Sequence, residues 1–259
     1  MEHKYRTRIQ GEALQKKIRD TEWSFVDILY YPLSFGLLTI FAWLTTIGVL
    51  VFNWISAILF SLITVILSIR AYKKFRKAKD TLSKYRKGLE GERFVGELLN
   101  KMSSDSIRVF HDIPGDRFNV DHIIVSTRGV FVIETKHFDR TKGHEFYFDG
   151  NMIQRKMPNG KIVLCPKLLP QMDGEARFIH DEIKRRTEMD IHVIKVAIII
   201  GCYIHVPSEN NIKQYFDKYW ITNERLFEKM FKEEKEIYDD SVVKLISTHM
   251  NEFVKIDID

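Results

Sequence analysis

From Ile28 to Ile69 the chain has 42 consecutive positions without a charged side chain. A single membrane-spanning helix needs about 20 apolar residues to cross a hydrocarbon core of about 30 Å. The run is too long for one span and fits two, with a tight turn near Val51-Phe52-Asn53-Trp54. Trp54 would mark one membrane interface, and Tyr30, Tyr31 and Tyr72 the other. A signal peptide is a poor match, because the apolar run is twice too long and starts too far into the chain. A buried hairpin of a soluble core is a poor match too, because its helices would carry a polar stripe.

Beyond Arg70 the pattern changes. Phe75, Ala78, Leu82, Tyr85 and Leu89 recur at steps of three and four, so the helix continues as a basic segment, a solvated spacer or one lying along lipid headgroups. "GLEGERFVGELLNKM" (88–102) places Phe94, Val95, Leu98, Leu99 and Met102 on one helical face. "IRVFHDI" (107–113), "NVDHIIVST" (119–127) and "VFVIETKH" (130–137) read as strands. The short "STRG" turn makes the last two antiparallel. "HEFYFDG" (144–150) predicts a further strand, and "MIQRKMPNGKIVL" (152–164) a hairpin around Pro158-Asn159-Gly160. A helix over about 169–188 follows. "IHVIKVAIIIG" (191–201) has the unbroken apolar character of a strand buried on both faces. "YWIT" (219–222) is a short strand, with Thr222 or Asn223 as cap of the helix "ERLFEKMFKEEKE", and a last helix spans about 240–254. This order predicts an α/β fold, a mixed sheet flanked by helices, preceded by a two-helix transmembrane hairpin. The divisions are 1–27 (N-terminal segment), 28–72 (hairpin), 73–87 (basic juxtamembrane helix) and 88–259 (α/β domain).

Charge refines the picture. The net charge of +5 is uneven: 6 basic and 5 acidic groups in 1–27, 9 and 1 in 70–87, and 25 and 29 in 88–259. The basic balance therefore belongs to the juxtamembrane segment and does not itself argue for nucleic acid. Positive flanks on both sides of the apolar run (Lys16, Lys17 and Arg19 before it) put both termini and the α/β domain on the cytoplasmic side of the cell membrane, beside anionic lipid. Cys165 and Cys202 have no metal-ligand spacing and should be reduced there. Gly88-x-x-Gly91 does not follow a strand and so fails as a nucleotide loop.

The chemistry-bearing residues are Asp121, Glu134 and Lys136. Glu134 and Lys136 share one strand face about 7 Å apart, and the hairpin brings the start of one strand to the end of the other. Two carboxylates at one spot repel unless a cation neutralises them. Oxygen ligands with room for water and phosphate suit Mg²⁺ or Mn²⁺. A lysine beside such an ion can orient or help deprotonate a water for attack on phosphorus. A surface Glu–Lys pair on an edge strand is the plain alternative, opposed by the apolar setting.

"GLEGERFVGELL", "NVDHIIVSTRGVFVIETKH" and a downstream glutamine-bearing helix resemble the NERD (nuclease-related domain) family, itself similar to the PD-(D/E)xK, restriction-endonuclease-like superfamily. The resemblance covers roughly residues 86–190. It implies a nuclease-like core with Asp121 and Glu134 as metal ligands, Lys136 as catalytic lysine, Glu92 as an added acid, and Gln171 as the polar residue of the following helix. "CPKLLPQ" sets Gln171 directly after Pro170, and His137 stands where the family often has Asn; both depart from the family pattern.

Other candidates are weaker. Alternation points His122 and His137 away from Asp121 and Lys136, and no spacing supports a zinc site with Cys165. Arg155, Lys156 and Lys161 are placed to track a nucleic-acid backbone or simply to face solvent, and Lys184-Arg185-Arg186 reads as an exposed helix end. The leading expectation is a membrane-anchored, metal-dependent nuclease acting on DNA ahead of RNA, needing two copies if it cuts both strands. The competing ones are a catalytically silent module tethering nucleic acid or protein to the membrane, and a purely structural membrane protein.

Overall fold

The computed structural model describes residues 5–48, 54–115, 118–139, 143–205 and 218–257. The elements in chain order are β1 (Tyr5–Thr7), α1 (Glu12–Gly48), α2 (Trp54–Met102), β2 (Ile107–Pro114), β3 (Asn119–Ser126), β4 (Gly129–His137), β5 (Glu145–Phe148), β6 (Ile153–Lys156), β7 (Ile162–Leu164), α3 (Leu168–Thr187), β8 (Val193–Ile200), β9 (Tyr203–His205), β10 (Trp220–Thr222), α4 (Phe227–Glu233), α5 (Asp240–Phe253) and β11 (Lys255–Asp257). They fall into two units, Leu14–Lys87 and Met1–Ala13 with Gly88–Asp259.

In the smaller unit α1 and α2 are both long and apolar enough to cross a membrane. They pack through small residues, Ala42 and Ala57, both buried. Two polar bridges flank this close approach: Thr39 Oγ1 to Thr64 Oγ1 at 2.8 Å, and Trp43 Nε1 donating to Ser61 Oγ at 3.0 Å. Small side chains with hydroxyl bridges are how helices associate where no water is present to drive them together. Leu37, Phe41, Leu44, Ile47 and Leu62 face outward, as do the expected interfacial residues Tyr30, Tyr31, Tyr72 and Trp54. The turn expected at Val51-Phe52-Asn53 lies outside the described residues. The spacer helix and the first helix of the α/β domain, read separately in the sequence, are one continuous helix, α2.

The larger unit is the expected mixed α/β fold. Its central sheet has the order β10-β8-β4-β3-β2. Strand β8 runs parallel to both β10 and β4, while β4-β3 and β3-β2 are antiparallel. Alternation along β4 explains why it reads as a continuous apolar run. Val130 and Val132 turn to one face, where they join Ile179 and Ile183 of α3 and Val243, Ile246 and Met250 of α5. Phe131 and Ile133 turn to the other, against Val95 and Leu99 of α2 and Phe227 and Phe231 of α4. Both faces are covered over residues 130–133, so both are apolar there.

Two features depart from the sequence reading. The strands of residues 144–164 do not extend the central sheet; with β9 they build a second mixed sheet of order β7-β6-β5-β9. The cause is the apolar set Phe146, Phe148 and Ile153, which packs over Ala197 and Ile199 of β8 and Leu168 and Met172 of α3. In addition, residues 5–13 belong to this unit. Strand β1 pairs antiparallel with β11, and the buried Asp112 accepts from Arg8 Nη1 at 3.2 Å, Asn119 Nδ2 at 2.8 Å and the backbone N–H of Ala13 at 3.0 Å. Asp112 thus caps the start of α1 from a distant strand, occupying one of the donors a helix N-terminus leaves unpaired. It does so from a left-handed backbone, φ 51°, a conformation Asp tolerates better than most residues.

Candidate active site

The β3–β4 hairpin sets the site. Its register pairs His122 with Ile133, so Asp121 and Glu134 face each other one step further along. Asp121 Oδ2 accepts the backbone N–H of Thr135 at 2.8 Å, which pins its carboxylate over the end of β4. Glu134 is 4% exposed, and Lys136 Nζ donates to its Oε1. The three residues expected to converge do so.

The long sequence gap to α3 is closed by packing. Pro170 falls in the first turn of α3, where a missing N–H costs no helical hydrogen bond, so it does not disturb the helix and Gln171 follows it on the side of the site. Gln171 Oε1 lies 3.5 Å from Lys136 Nζ. Its Nε2 donates to Glu175 Oε1 at 2.8 Å. Glu175, only 1% exposed, was not singled out in the sequence. The signal was there: it stands four residues after Gln171, one helical turn on, within the otherwise apolar face of Met172, Ala176 and Ile179.

Glu92 enters from α2. The helix reaches β4 so closely because position 91 is glycine. A Cβ there would stand 2.6 Å from His137 Cβ and 3.5 Å from Thr135 Cγ2. Gly91 therefore lets the next residue, Glu92, come within electrostatic reach of Asp121.

The result is a crowded acidic pocket with one embedded ammonium group. Asp121 is pushed well above the ordinary carboxylate range, first by burial and then by Glu134 and Glu92, with the Thr135 N–H acting against them and Glu175 adding to the rise. Glu175 is raised to about 8, again by burial first and by Glu134 second. For Lys136 burial pulls the pKa down, but Glu134, Asp121 and Glu175 outweigh it and hold the ammonium above its usual value. Glu134 Oε2 and Glu175 Oε2 are buried without a hydrogen-bond partner. Unpaired carboxylate oxygens in such a setting are costly, and a bound cation would satisfy them. Among the described residues no group of three or more His, Cys, Asp or Glu is placed to hold a metal ion. The carboxylates of Asp121 and Glu134, with Glu134 Oε2 left unpartnered, are a donor set that would suit a hard divalent ion keeping several waters.

The histidines stand apart from this chemistry. His122 and His111 share an Nδ1···Nδ1 contact of 2.9 Å in the core, and His111 Nε2 meets Asn100 Oδ1 at 3.0 Å. His137 lies against Gly91 and 3.9 Å from Glu90 Oε2. Lys184, Arg185 and Arg186 pair with Asp190 and Glu182 at the helix end.

Comparison with known proteins gives a family for this region. An uncharacterized protein of Bacillus anthracis is 38% identical over 58 residues, which is 20% of this chain and 27% of that protein. The chain thus spans about a quarter of the length of the curated relative it matches. No solved structure matches the chain. The family described as nuclease-related domain matches residues 87–200, which contain Glu92, Asp121, Glu134, Lys136, Gln171 and Glu175. Residues 87–200 of this chain are a NERD, a nuclease-related domain.

Proposed function

We propose that this domain hydrolyses phosphodiester bonds of nucleic acid, DNA ahead of RNA, at Asp121, Glu134 and Lys136. The observation that carries the reading is the convergence of two carboxylates and a lysine, from chain positions 13 and 2 residues apart, on one buried spot at the end of β4. Asp121 and Glu134 are the residues that would hold Mg²⁺ or Mn²⁺. Such an ion, when bound, supplies Lewis-acid stabilisation of the phosphoryl oxygens and a more acidic water.

The protein's own groups have separable tasks. Lys136 is held as an ammonium, so it orients the attacking water and offsets negative charge on phosphorus rather than removing a proton. Gln171, through its Oε1, steadies Lys136, and Glu175 steadies Gln171. Glu92 adds negative charge beside Asp121 and favours cation binding. Water attacks phosphorus and gives up a proton to solvent, the bond to the leaving oxygen breaks, and that oxygen takes up a proton from solvent. Two copies acting together would serve to cut both strands of a duplex.

The α1–α2 hairpin anchors the domain to the cell membrane in this reading. Nine basic residues against one acidic in 70–87 favour the cytoplasmic leaflet for that flank, and hence for the domain. A silent tether is the second reading, favoured by the surplus of 29 acidic over 25 basic groups in 88–259. The test uses the full chain in detergent micelles with labelled single-stranded DNA, duplex DNA and RNA, in Mg²⁺, Mn²⁺ or chelator. Metal-dependent cleavage that is lost in both Glu134→Ala and Lys136→Ala is the expected result. Salt-sensitive binding without cleavage would establish the tether instead.

A further inference from the structure

Strand β6 carries two basic residues, and alternation sends them to opposite faces of the second sheet. Lys156 lies on the outer face, where Glu145 Oε1 accepts from its Nζ at 3.3 Å. The same carboxylate meets Tyr147 Oη at 2.7 Å and His205 Nε2 at 2.9 Å. That cation is already answered.

Arg155 turns inward with Ile153. Its guanidinium carbon lies 5.2 Å from the centre of the Phe138 ring, and Phe138 follows Lys136 by two residues. Phe138 in turn packs on Phe146 at 5.0 Å, the residue that pairs with Arg155 across the β5–β6 ladder. Cys165, whose N–H bonds to Ile153 O at 2.8 Å, supplies a second fix. Burial raises its thiol, while Arg155 and Lys136 both act to lower it. Both cations thus lie within electrostatic reach of the Cys165 thiol.

Arg155 differs from the other cations here in what it lacks. Among the described residues it has no carboxylate partner, and its Nε is buried with no hydrogen-bond partner. A half-buried guanidinium is ordinarily paired, because leaving its donors unsatisfied is costly. The missing partner is an anion. Its planar fork suits a phosphate group, which a guanidinium can grip with two parallel hydrogen bonds. A pocket lined by Asp121, Glu134, Glu175 and Glu92 repels a polyanion, so a local cation beside Lys136 answers a specific electrostatic need.

We propose that Arg155 is a substrate-binding residue that grips a backbone phosphate of the nucleic acid beside the bond to be cut, a role that rests on the nuclease reading. Phe138 holds the guanidinium plane in position, and Lys156 takes no part.

The experiment measures binding of a fluorescein-labelled duplex by anisotropy, with the full chain in detergent micelles over a salt series. A Glu134→Gln background prevents cleavage. Arg155→Met should weaken binding about tenfold, the value of one charge-assisted contact, and lower the slope of log Kd against log salt by about one unit. Arg155→Lys should restore the slope but not the full affinity, which loss of packing alone would not produce. Lys156→Met should change neither. An Arg155→Met protein with the parental slope overturns the inference and leaves the nuclease reading standing. If the parent binds inorganic phosphate with the same dependence on Arg155 but no oligonucleotide, the anion site stands and the nuclease reading falls. Binding of neither overturns both.

Discussion

Gln171 Nε2 donates to Glu175 Oε1 at 2.8 Å, and this fixes which end of the Gln171 amide faces Lys136. With the nitrogen committed to Glu175, the oxygen must point toward the ammonium, 3.5 Å away. In the proposed reaction Glu175 would therefore act on Lys136 through a neighbour, as the outer partners of catalytic groups commonly do.

Glu175→Ala should lower kcat about 10- to 100-fold with little change in KM, the usual effect of removing such a partner. Glu175→Gln should retain more activity, since its amide oxygen can still accept from Gln171. Steady-state kinetics on a labelled duplex checks both. Equal loss in the two variants would show that the carboxyl group itself does the work.

The glycines of α2 and α3 give a contrasting pair. A Cβ at Gly91 would stand 2.6 Å from His137 Cβ, so Gly91→Ala should push α2 off the end of β4, cost about 1–3 kcal/mol and reduce activity by displacing Glu92. At Gly174 a Cβ meets nothing within 4 Å. Gly174→Ala should therefore stabilise α3 by about 0.5–1 kcal/mol. Denaturant unfolding of the two variants should move in opposite directions.

The buried imidazole pair sets an acid limit. Burial lowers His111 from 6.5 to about 4, and burial together with His111 holds His122 well below its usual value. The folded state binds fewer protons than the unfolded one in this window, so stability falls as pH drops below 6.5. For His111 alone the loss should reach about 3 kcal/mol by pH 4. Denaturant midpoints between pH 7 and pH 4 should drop steeply in the parent and less in His111→Asn, measured as a difference from each protein at neutral pH.

The Asp112 contacts make the N-terminal segment part of the α/β unit. Asp112→Ala removes the Arg8 ion pair and the cap on Ala13 while leaving Asn119 Nδ2 without its acceptor. A cost of about 2–4 kcal/mol is expected from a lost cap, a lost ion pair and an unsatisfied, partly buried donor. Hydrogen exchange should rise at the Ala13 amide and in β1. Unchanged protection there would show that the segment is held by β11 alone.

Much of this was legible in the chain because the physics is local or periodic. The charge-free run gave two long apolar helices, and the "STRG" turn gave the hairpin that brings Asp121 opposite Glu134. Gln171 emerged from family resemblance, with Pro170 proving harmless at the start of a helix. Glu175 was missed because a single acid on an amphipathic helix looks solvated until the helix is docked. The second sheet was missed because separate sheets and one extended sheet share the same strand signals. The β1–β11 pair was missed because three-residue strands carry no period, and their partners lie at opposite ends of the sequence.

The central claim is that Asp121 and Glu134 together hold one divalent ion, and electron paramagnetic resonance of bound Mn²⁺ tests it most directly. The full chain should bind one Mn²⁺ with a Kd that rises at least tenfold in both Asp121→Asn and Glu134→Gln. Mn²⁺ binding that is absent in the parent, or unchanged in those two variants, would contradict the account.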